Sequence, residues 1–198
     1  AEIRALAMRV ADALVARDVK ALVVACNTAT SAAVATLRET LSIPVVGMEP
    51  ALKPASLLWK GGKILVLATP ATLRQHKFQL LNEKYGAHAL IRPCAGLMEF
   101  VESGDLNGEP VRAYLRDMLS DYEGVQLDAV VLGCTHYVFL KRALSDLLPG
   151  VPLVDGNDGT ARRLTDLLAQ GDLLREEGEG GVEFMTSGDS AVYIPLME

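Results

Sequence analysis

Short apolar runs alternate along the chain with segments in which apolar residues recur every three or four positions. The runs predict buried strands at 21–25, 43–46, 64–67, 87–91, 129–132, 151–154 and 182–185. The intervening segments predict helices at 3–14, 27–41, 50–59, 73–85, 97–102, 110–122, 137–148 and 160–169. A charged, glycine-rich stretch at 175–181 predicts a surface linker. Strands that alternate with amphipathic helices are typical of an α/β fold with parallel sheets.

Two parts of the chain repeat one pattern. When Cys26 is placed on Cys134, an offset of 108 residues, the segment 21–46 aligns with 129–154 without a gap. Each copy consists of a strand, a cysteine, a helix and a second strand whose second residue is proline. The repeat predicts two similar parallel-sheet α/β halves related by a pseudo-twofold axis, with an active site in the cleft between them, because ligands of open α/β sheets bind beyond the carboxyl ends of the strands.

The repeat also suggests how the chain divides. We expect one α/β domain, incomplete, from residues 1–48 and 156–198, and a second from residues 49–155. The chain opens inside a helix and closes just after the start of an apolar segment at 192–196. A parallel sheet usually feeds each helix from a strand. We therefore expect further residues at each end.

Composition narrows the class of protein. Half of the residues are hydrophobic and 22% are charged, which is typical of a globular chain. The formal net charge is −6 and no basic stripe is present, so nucleic acid is not an expected partner. The apolar runs are far shorter than the ~18 residues that a membrane span needs. Three cysteines, an odd number, favour free thiols in a reducing cytoplasm.

Two of the cysteines occupy a position suited to acid–base chemistry. Cys26 and Cys134 each lie where a predicted strand ends and a helix begins, and the positive end of a helix dipole is expected to lower a thiol pKa there. Two such thiols facing one cleft can invert a stereocentre: one removes a proton from carbon, and the other delivers a proton to the opposite face. Cys94 lacks this position and is expected to be structural, because cysteine is among the residues most often buried.

Polar residues follow the candidate thiols. They are Asn27, Thr28 and Thr30 after Cys26, Thr135 and His136 after Cys134, and Thr69 and Thr72 at a third predicted strand end. Hydroxyls, amides and free N–H groups at a helix start can hold a carboxylate, although helix capping alone would also explain Thr30. A histidine two residues from a thiol can assist proton transfer.

The motifs 25–30, Ala-Cys-Asn-Thr-Ala-Thr, and 133–137, Gly-Cys-Thr-His-Tyr, resemble the paired signatures of the glutamate racemases, in the aspartate/glutamate racemase superfamily. The resemblance runs over most of the chain and includes the segments 101–103 and 186–189. It implies a cytoplasmic isomerase that needs neither cofactor nor metal and makes D-glutamate for peptidoglycan. Glutamate is the implied small-molecule partner, nucleic acid and membrane are not, and a homodimer is left open.

The same resemblance implies a role for each matching residue. The implied catalytic groups are Cys26, Cys134, His136 and Glu102, and the implied substrate contacts are Asn27, Thr28, Thr69, Thr72 and Thr135. His136 would assist Cys134, and Glu102 would be a nearby acidic group.

Other functions stay open at this stage. An aspartate or hydantoin racemase of the same superfamily would share the two thiols, and an assay across amino acids distinguishes them. A non-catalytic binding protein is a second alternative, because the Asp-Ser-Gly and Pro-Tyr-Gly motifs of the family do not occur in this sequence. A metal site at Cys134 and His136 is disfavoured, because a metal needs three or four ligands. A redox switch lacks a paired resolving cysteine in the sequence.

Overall fold

The computed structural model describes residues 2–175 and 177–196 as alternating strands and helices. The strands are β1 (Leu22–Val24), β2 (Val45–Gly47), β3 (Lys63–Ala68), β4 (Ala89–Pro93), β5 (Leu127–Leu132) and β6 (Leu153–Val154). The α-helices are α1 (Glu2–Val15), α2 (Asn27–Thr40), α3 (Leu52–Ser56), α4 (Pro70–Leu73), α5 (His76–Tyr85), α6 (Leu97–Glu102), α7 (Glu109–Ser120), α8 (Lys141–Leu147), α9 (Asn157–Gln170) and α10 (Ser190–Tyr193). Short 3-10 helices span Thr135–Leu140 and Ile194–Leu196. Within these ranges, no helix is long and apolar enough to cross a bilayer.

Among the residues that the structure describes, the strands form two separate sheets, and every pairing is parallel. One sheet pairs β1 with β2, and the other has the order β4-β3-β5-β6. Both copies of the sequence repeat therefore give the same unit, a strand and its parallel neighbour joined through a helix: β1-α2-β2 and β5-α8-β6. The predicted α/β fold with parallel sheets is confirmed.

The larger sheet is covered by helices on both faces. Leu65 and Leu67 of β3 point to a core formed with α6, α7 and α8. Ile64 and Val66 alternate with them and point to a second core formed with α3 and α5. A central strand buried on both faces is apolar at every position, which explains why this segment reads as a continuous apolar run.

The smaller sheet packs against α1 and α2 through a third core. Ala11 of α1 and Leu37 of α2 are fully buried against Leu22 and Val45. On the other side of α1, the apolar residues Ile3, Leu6 and Val10 are exposed. Helix α9 contacts β2. The division of the chain into 1–48 with 156–198 and 49–155 stays a prediction.

Three sequence predictions need correction. The segment 182–185 is irregular rather than a strand, and its Val182 side chain is 79% exposed. An apolar pattern gives a strand only where a neighbouring strand accepts its hydrogen bonds. The predicted helix 73–85 is interrupted, because Gln75 is extended and begins α5 as its N-cap. The predicted helix 137–148 begins instead as the 3-10 helix Thr135–Leu140.

An aromatic stack and a carboxylate hold the turn that precedes β3. Trp59, just after α3, lies parallel to His88, with ring centroids 4.0 Å apart. Its indole Nε1 donates a hydrogen bond to the Gly62 carbonyl at 3.0 Å. The Asp128 carboxylate accepts hydrogen bonds from the backbone N–H groups of Lys60 and Gly62. The turn that leads into the central strand is thus held by both a ring and a carboxylate.

Candidate active site

The two thiols occupy equivalent backbone positions. Cys26 comes two residues after β1 and Cys134 two residues after β5, and each is the N-cap of the helix that follows. Both are extended, with φ and ψ of −148° and 124° for Cys26 and −134° and 139° for Cys134. Cys26 is exposed and Cys134 is half-buried. The equivalence that the repeat predicted is present in the backbone itself.

The turns that follow the thiols differ in pitch. After Cys26, the Thr30 N–H donates to the Cys26 carbonyl at 2.8 Å, an α-helical bond. After Cys134, the Tyr137 N–H donates to the Cys134 carbonyl at 3.0 Å, a tighter 3-10 bond. The Tyr137 ring is fully buried, and its hydroxyl donates to the Cys94 carbonyl at 3.1 Å. This anchor holds the second turn against the loop after β4.

A histidine connects Cys134 to an acidic residue. His136 Nδ1 lies 3.7 Å from the Cys134 sulfur, and His136 Nε2 lies 3.4 Å from Glu102 Oε1. Glu102 is the last residue of α6, far from the thiol in sequence. The side chains of Glu102, His136 and Cys134, all named from the resemblance, therefore form one chain of contacts.

Burial sets the ionisation of Cys134. Loss of solvent raises the pKa of this thiol above its ordinary value, and the negative charges of Cys26 and Glu102 raise it further. The backbone N–H groups of His136 and Tyr137 lower the pKa, but less. The N–H groups at the helix start therefore lower the pKa of Cys134 as expected, but burial outweighs them and the net shift is upward. Cys134 is a thiol at neutral pH, and the two sulfur groups are close enough to interact electrostatically.

Three of the predicted substrate contacts form a chain of hydroxyls. Thr69 Oγ1 donates to Thr72 Oγ1 at 3.0 Å, and Thr72 Oγ1 lies 3.1 Å from Thr28 Oγ1. Thr69 also caps α4 by accepting the Thr72 N–H. Because Thr28 belongs to α2 and the other two precede or begin α4, the structure brings together hydroxyls from both sides of the cleft. Thr135 is half-buried in the turn beside Cys134.

Asn27 crosses the same cleft with its amide. Its Nδ2 donates to the Gly133 carbonyl at 2.7 Å, and the side chain is buried. A cavity of about 20 Å³, lined in part by Met48 and Thr72, adjoins it. The Gly133 carbonyl was not among the predicted site groups. The only sequence signal for it is the glycine that precedes Cys134 in the motif.

Two residues near the site have structural explanations. Thr30 is buried, donates to the Val24 carbonyl and accepts from the Met48 N–H, so it secures α2 rather than facing a ligand. Cys94 is 1% exposed, and burial raises the pKa of its thiol to about 12. Across residues 2–175 and 177–196, no cluster of three His, Cys, Asp or Glu side chains is placed to hold a metal ion.

Comparison with known proteins gives one consistent result. Residues 2–164 match the family model described as Asp/Glu/Hydantoin racemase. A glutamate racemase of Clostridium perfringens is 45% identical over 184 residues, which are 91% of this chain and 71% of the relative. A glutamate racemase of Clostridium acetobutylicum is 46% identical over 190 residues, covering 94% of this chain and 74% of the relative.

Solved structures agree with the sequence relatives. A Thermus thermophilus glutamate racemase in complex with beta-chloro-D-alanine superposes with a TM-score of 0.79 at 36% identity, covering 98% of this chain and 73% of that one. Escherichia coli glutamate racemase, in complex with L-glutamate and the activator UDP-MurNAc-Ala, superposes with a TM-score of 0.77 at 34% identity. That match covers 84% of this chain, which spans 65% of the Escherichia coli chain.

Proposed function

The chain belongs to the Asp/Glu/hydantoin racemase family, whose members are isomerases, and on that premise we propose that it interconverts L- and D-glutamate. The observation that carries the proposal is the pair of thiols at equivalent strand ends on the two sides of one cleft. The glutamate racemases of Clostridium, about 45% identical, support glutamate as the substrate.

In the proposed reaction, one sulfur acts as base and the other as acid. With L- or D-glutamate bound, the thiolate of one cysteine takes the proton from Cα, and the C–H electron pair stays on carbon as a carbanion. The thiol of the other cysteine then gives its proton to the opposite face of Cα. The first sulfur ends protonated and the second ends as a thiolate, so the product is the mirror image and the total number of protons is unchanged.

The environment of Cys134 supports one protonation state of this thiol at the start of the reaction. Burial and the charge of Cys26 favour the neutral Cys134 thiol, so in one direction Cys26 is the base and Cys134 the acid. When Cys134 has given its proton to Cα, the backbone N–H groups of His136 and Tyr137 stabilise the new thiolate, and the contact of His136 Nε2 with Glu102 holds the imidazole beside it. The reverse direction starts with this ionised arrangement.

The remaining motif residues are proposed to hold the substrate. Glutamate carries two carboxylates and an ammonium group, which are recognised by donors and acceptors respectively. The hydroxyls of Thr28, Thr69, Thr72 and Thr135 and the amide of Asn27 offer both kinds of group. Asn27 and Thr28 follow Cys26, Thr135 follows Cys134, and hydrogen bonds link Thr72 and Thr69 to Thr28. We propose that the D-glutamate formed supplies peptidoglycan synthesis in the cytoplasm.

Solvent exchange tests the two-thiol mechanism. In deuterated water, D-glutamate formed from L-glutamate without added cofactor should carry deuterium at Cα, because the acid thiol has exchanged its proton with solvent. Mass spectrometry and chiral chromatography measure label and configuration together. Product without label, or a reaction that requires pyridoxal phosphate, would overturn the mechanism.

A panel of amino acids tests the substrate. Glutamate should be racemised in preference to aspartate and to hydantoins. Preferred turnover of aspartate would indicate that the chain is an aspartate racemase of the same family. Glutamate binding without turnover would indicate a binding protein.

A further inference from the structure

One buried hydrogen bond joins the immediate neighbours of the two thiols. Asn27 directly follows Cys26, and Gly133 directly precedes Cys134. Asn27 Nδ2 donates to the Gly133 carbonyl at 2.7 Å across 106 residues of chain, and Asn27 is 7% exposed. A buried bond to a backbone carbonyl is worth more than an exposed one, because breaking it leaves the carbonyl without solvent.

The Gly133 end of this bond is held in place. The Gly133 N–H donates to the Leu67 carbonyl of β3 at 2.7 Å. A Cβ at position 133 would lie 2.7 Å from that carbonyl and 2.9 Å from Ala68 Cβ, so the backbone here lies directly against the central strand. The Gly133 carbonyl therefore has little freedom to follow a moving partner.

The Asn27 end is held as well. Asn27 is the first residue of α2, and Thr30, one turn on, bonds both to the Val24 carbonyl of β1 and to the Met48 N–H after β2. The Cys26 sulfur accepts a hydrogen bond from the Ala29 N–H. The first turn of α2 is thus fixed to the smaller sheet.

We propose that Asn27 is a positioning residue whose Nδ2 sets the separation of the Cys26 and Cys134 sulfurs by linking the two fixed turns. This inference rests on the proposed two-thiol function. The two polar atoms of the Asn27 amide then have different roles. Nδ2 joins the two turns through its hydrogen bond to Gly133. Oδ1 is buried and accepts no hydrogen bond from any described residue, so it stays available to a substrate ammonium group.

The bond from Thr28 to Thr72 also spans the cleft, but it lies one residue further from Cys26 and joins two side chains that rotate. A side chain bonded to a fixed backbone carbonyl defines a distance more closely than two hydroxyls do. Asn27 is therefore the residue to change.

The test measures thiol separation without relying on catalysis. In a Cys94→Ser background, Cys26 and Cys134 are the remaining cysteines of the sequence. The pH dependence of iodoacetamide alkylation, followed on the Cys134 peptide by mass spectrometry, gives the pKa of Cys134. The measurement is repeated after Cys26→Ser, which removes one like charge while Glu102 and His136 still act on Cys134.

With Asn27 present, Cys26→Ser should lower the pKa of Cys134, because the negative charge of Cys26 raises it. In Asn27→Ala, and in Asn27→Ser, whose side chain is too short to reach Gly133, Cys26→Ser should leave the Cys134 pKa nearly unchanged. Asn82→Ala, which removes an asparagine from α5 with a similarly buried Oδ1, is the control and should preserve the full shift. Equal shifts in the Asn27 variants and the control would overturn the proposal.

Kinetics supply a second readout. Loss of positioning should lower kcat by about 10²-fold, since small misplacements of reacting groups have effects of that size. A rise in KM with unchanged kcat would instead show that Asn27 only binds substrate, and would overturn the proposal. A protein that keeps the thiol coupling but racemises no amino acid would refute the proposed function and leave the role of Asn27 intact.

Discussion

The two sulfurs share a backbone position but not an environment. Cys26 is exposed and accepts the Ala29 N–H. Cys134 is half-buried and is linked through His136 to Glu102. In the mechanism proposed above, equal placement would serve the two faces of one carbon, and the burial of Cys134 favours its protonated form.

The individual thiols can be tested by substitution. Cys26→Ser and Cys134→Ser should each lower kcat by more than about 10³-fold, because a hydroxyl is a far weaker base than a thiolate. Cys94→Ser should leave kcat within about tenfold of the parent, because the Cys94 sulfur is buried against Met118, where it has no access to a substrate. Chiral chromatography of the glutamate formed gives the rates. A comparable loss at Cys94 would show that the pair has been assigned wrongly.

The buried Cys94 also predicts a pH dependence of stability. Its pKa is raised from 9.0 to about 12 in the folded chain, so the folded state keeps a proton that the unfolded state loses. Its contribution to the free energy of unfolding is complete below about pH 9 and declines as the pH rises towards 12, by up to about 1.4 kcal/mol for each pKa unit.

Urea unfolding at several pH values, followed by circular dichroism, measures this decline. Cys94→Ala should give a shallower decline above pH 9 than the parent. Parallel curves for the two proteins would contradict the assignment. The tyrosines are common to both, so their titration cancels in the comparison.

At the scale of elements, one side chain joins the parts of the smaller sheet. Thr30 on α2 donates to the Val24 carbonyl of β1, and the Met48 N–H after β2 donates to Thr30. Gly47 lies so close that a Cβ there would be 2.6 Å from Thr30 Cγ2. A helix and two strands therefore meet at a single hydroxyl.

Removal of that hydroxyl should destabilise the smaller sheet. Thr30→Val keeps the shape of the side chain but loses the donor to Val24 and the acceptor for Met48, and we expect a loss of about 1–3 kcal/mol in the free energy of unfolding. Thr40→Val makes the same change at the exposed end of α2 and should alter it by less than about 0.5 kcal/mol. Urea titration compares the two. Equal effects would show that the bonds of Thr30 contribute little.

Local pattern was sufficient to predict most elements. Strand β3 could be predicted because burial on both faces makes its residues a continuous apolar run. The two strand-to-helix turns at the cysteines could be predicted because the same residue pattern occurs at both. The segment 182–185 has a similar apolar pattern but is irregular, since strand formation depends on a partner elsewhere in the chain.

The candidate site likewise has some features that the sequence predicts and others that depend on tertiary packing. The cysteines and their neighbours were predicted from motifs, but the bond from Asn27 to Gly133 and the contact of Glu102 with His136 join distant segments. The rise in the pKa of Cys134 also depends on tertiary burial, which outweighs the local helix start. Interactions of this kind are set by how sheets and helices pack, and neighbouring residues do not encode them.

For the whole molecule, the cores are unequal in extent. The central strands β3 and β5 lie between two helix layers and are almost fully buried. The pair β1 and β2 shares one smaller core with α1 and α2. Few apolar contacts make a region easier to open, so the smaller sheet should open before the larger one.

Hydrogen exchange measures this difference. The amides of Leu65 and Val131 should exchange slowest, with the urea dependence of global unfolding. The amides of Val23 and Val46 should exchange faster and with a weaker urea dependence, because a smaller surface is exposed when only the two-stranded sheet opens. Identical protection in the two sheets would show that the molecule unfolds as one cooperative body.

The parallel stack of Trp59 on His88 has an optical consequence. The sequence contains one tryptophan, so all indole emission comes from this ring. Loss of the stacked imidazole changes the surroundings of the indole, so Trp59 emission should change when the turn between α3 and β3 opens. The fold therefore carries its own unlabelled reporter of the turn that leads into its central strand.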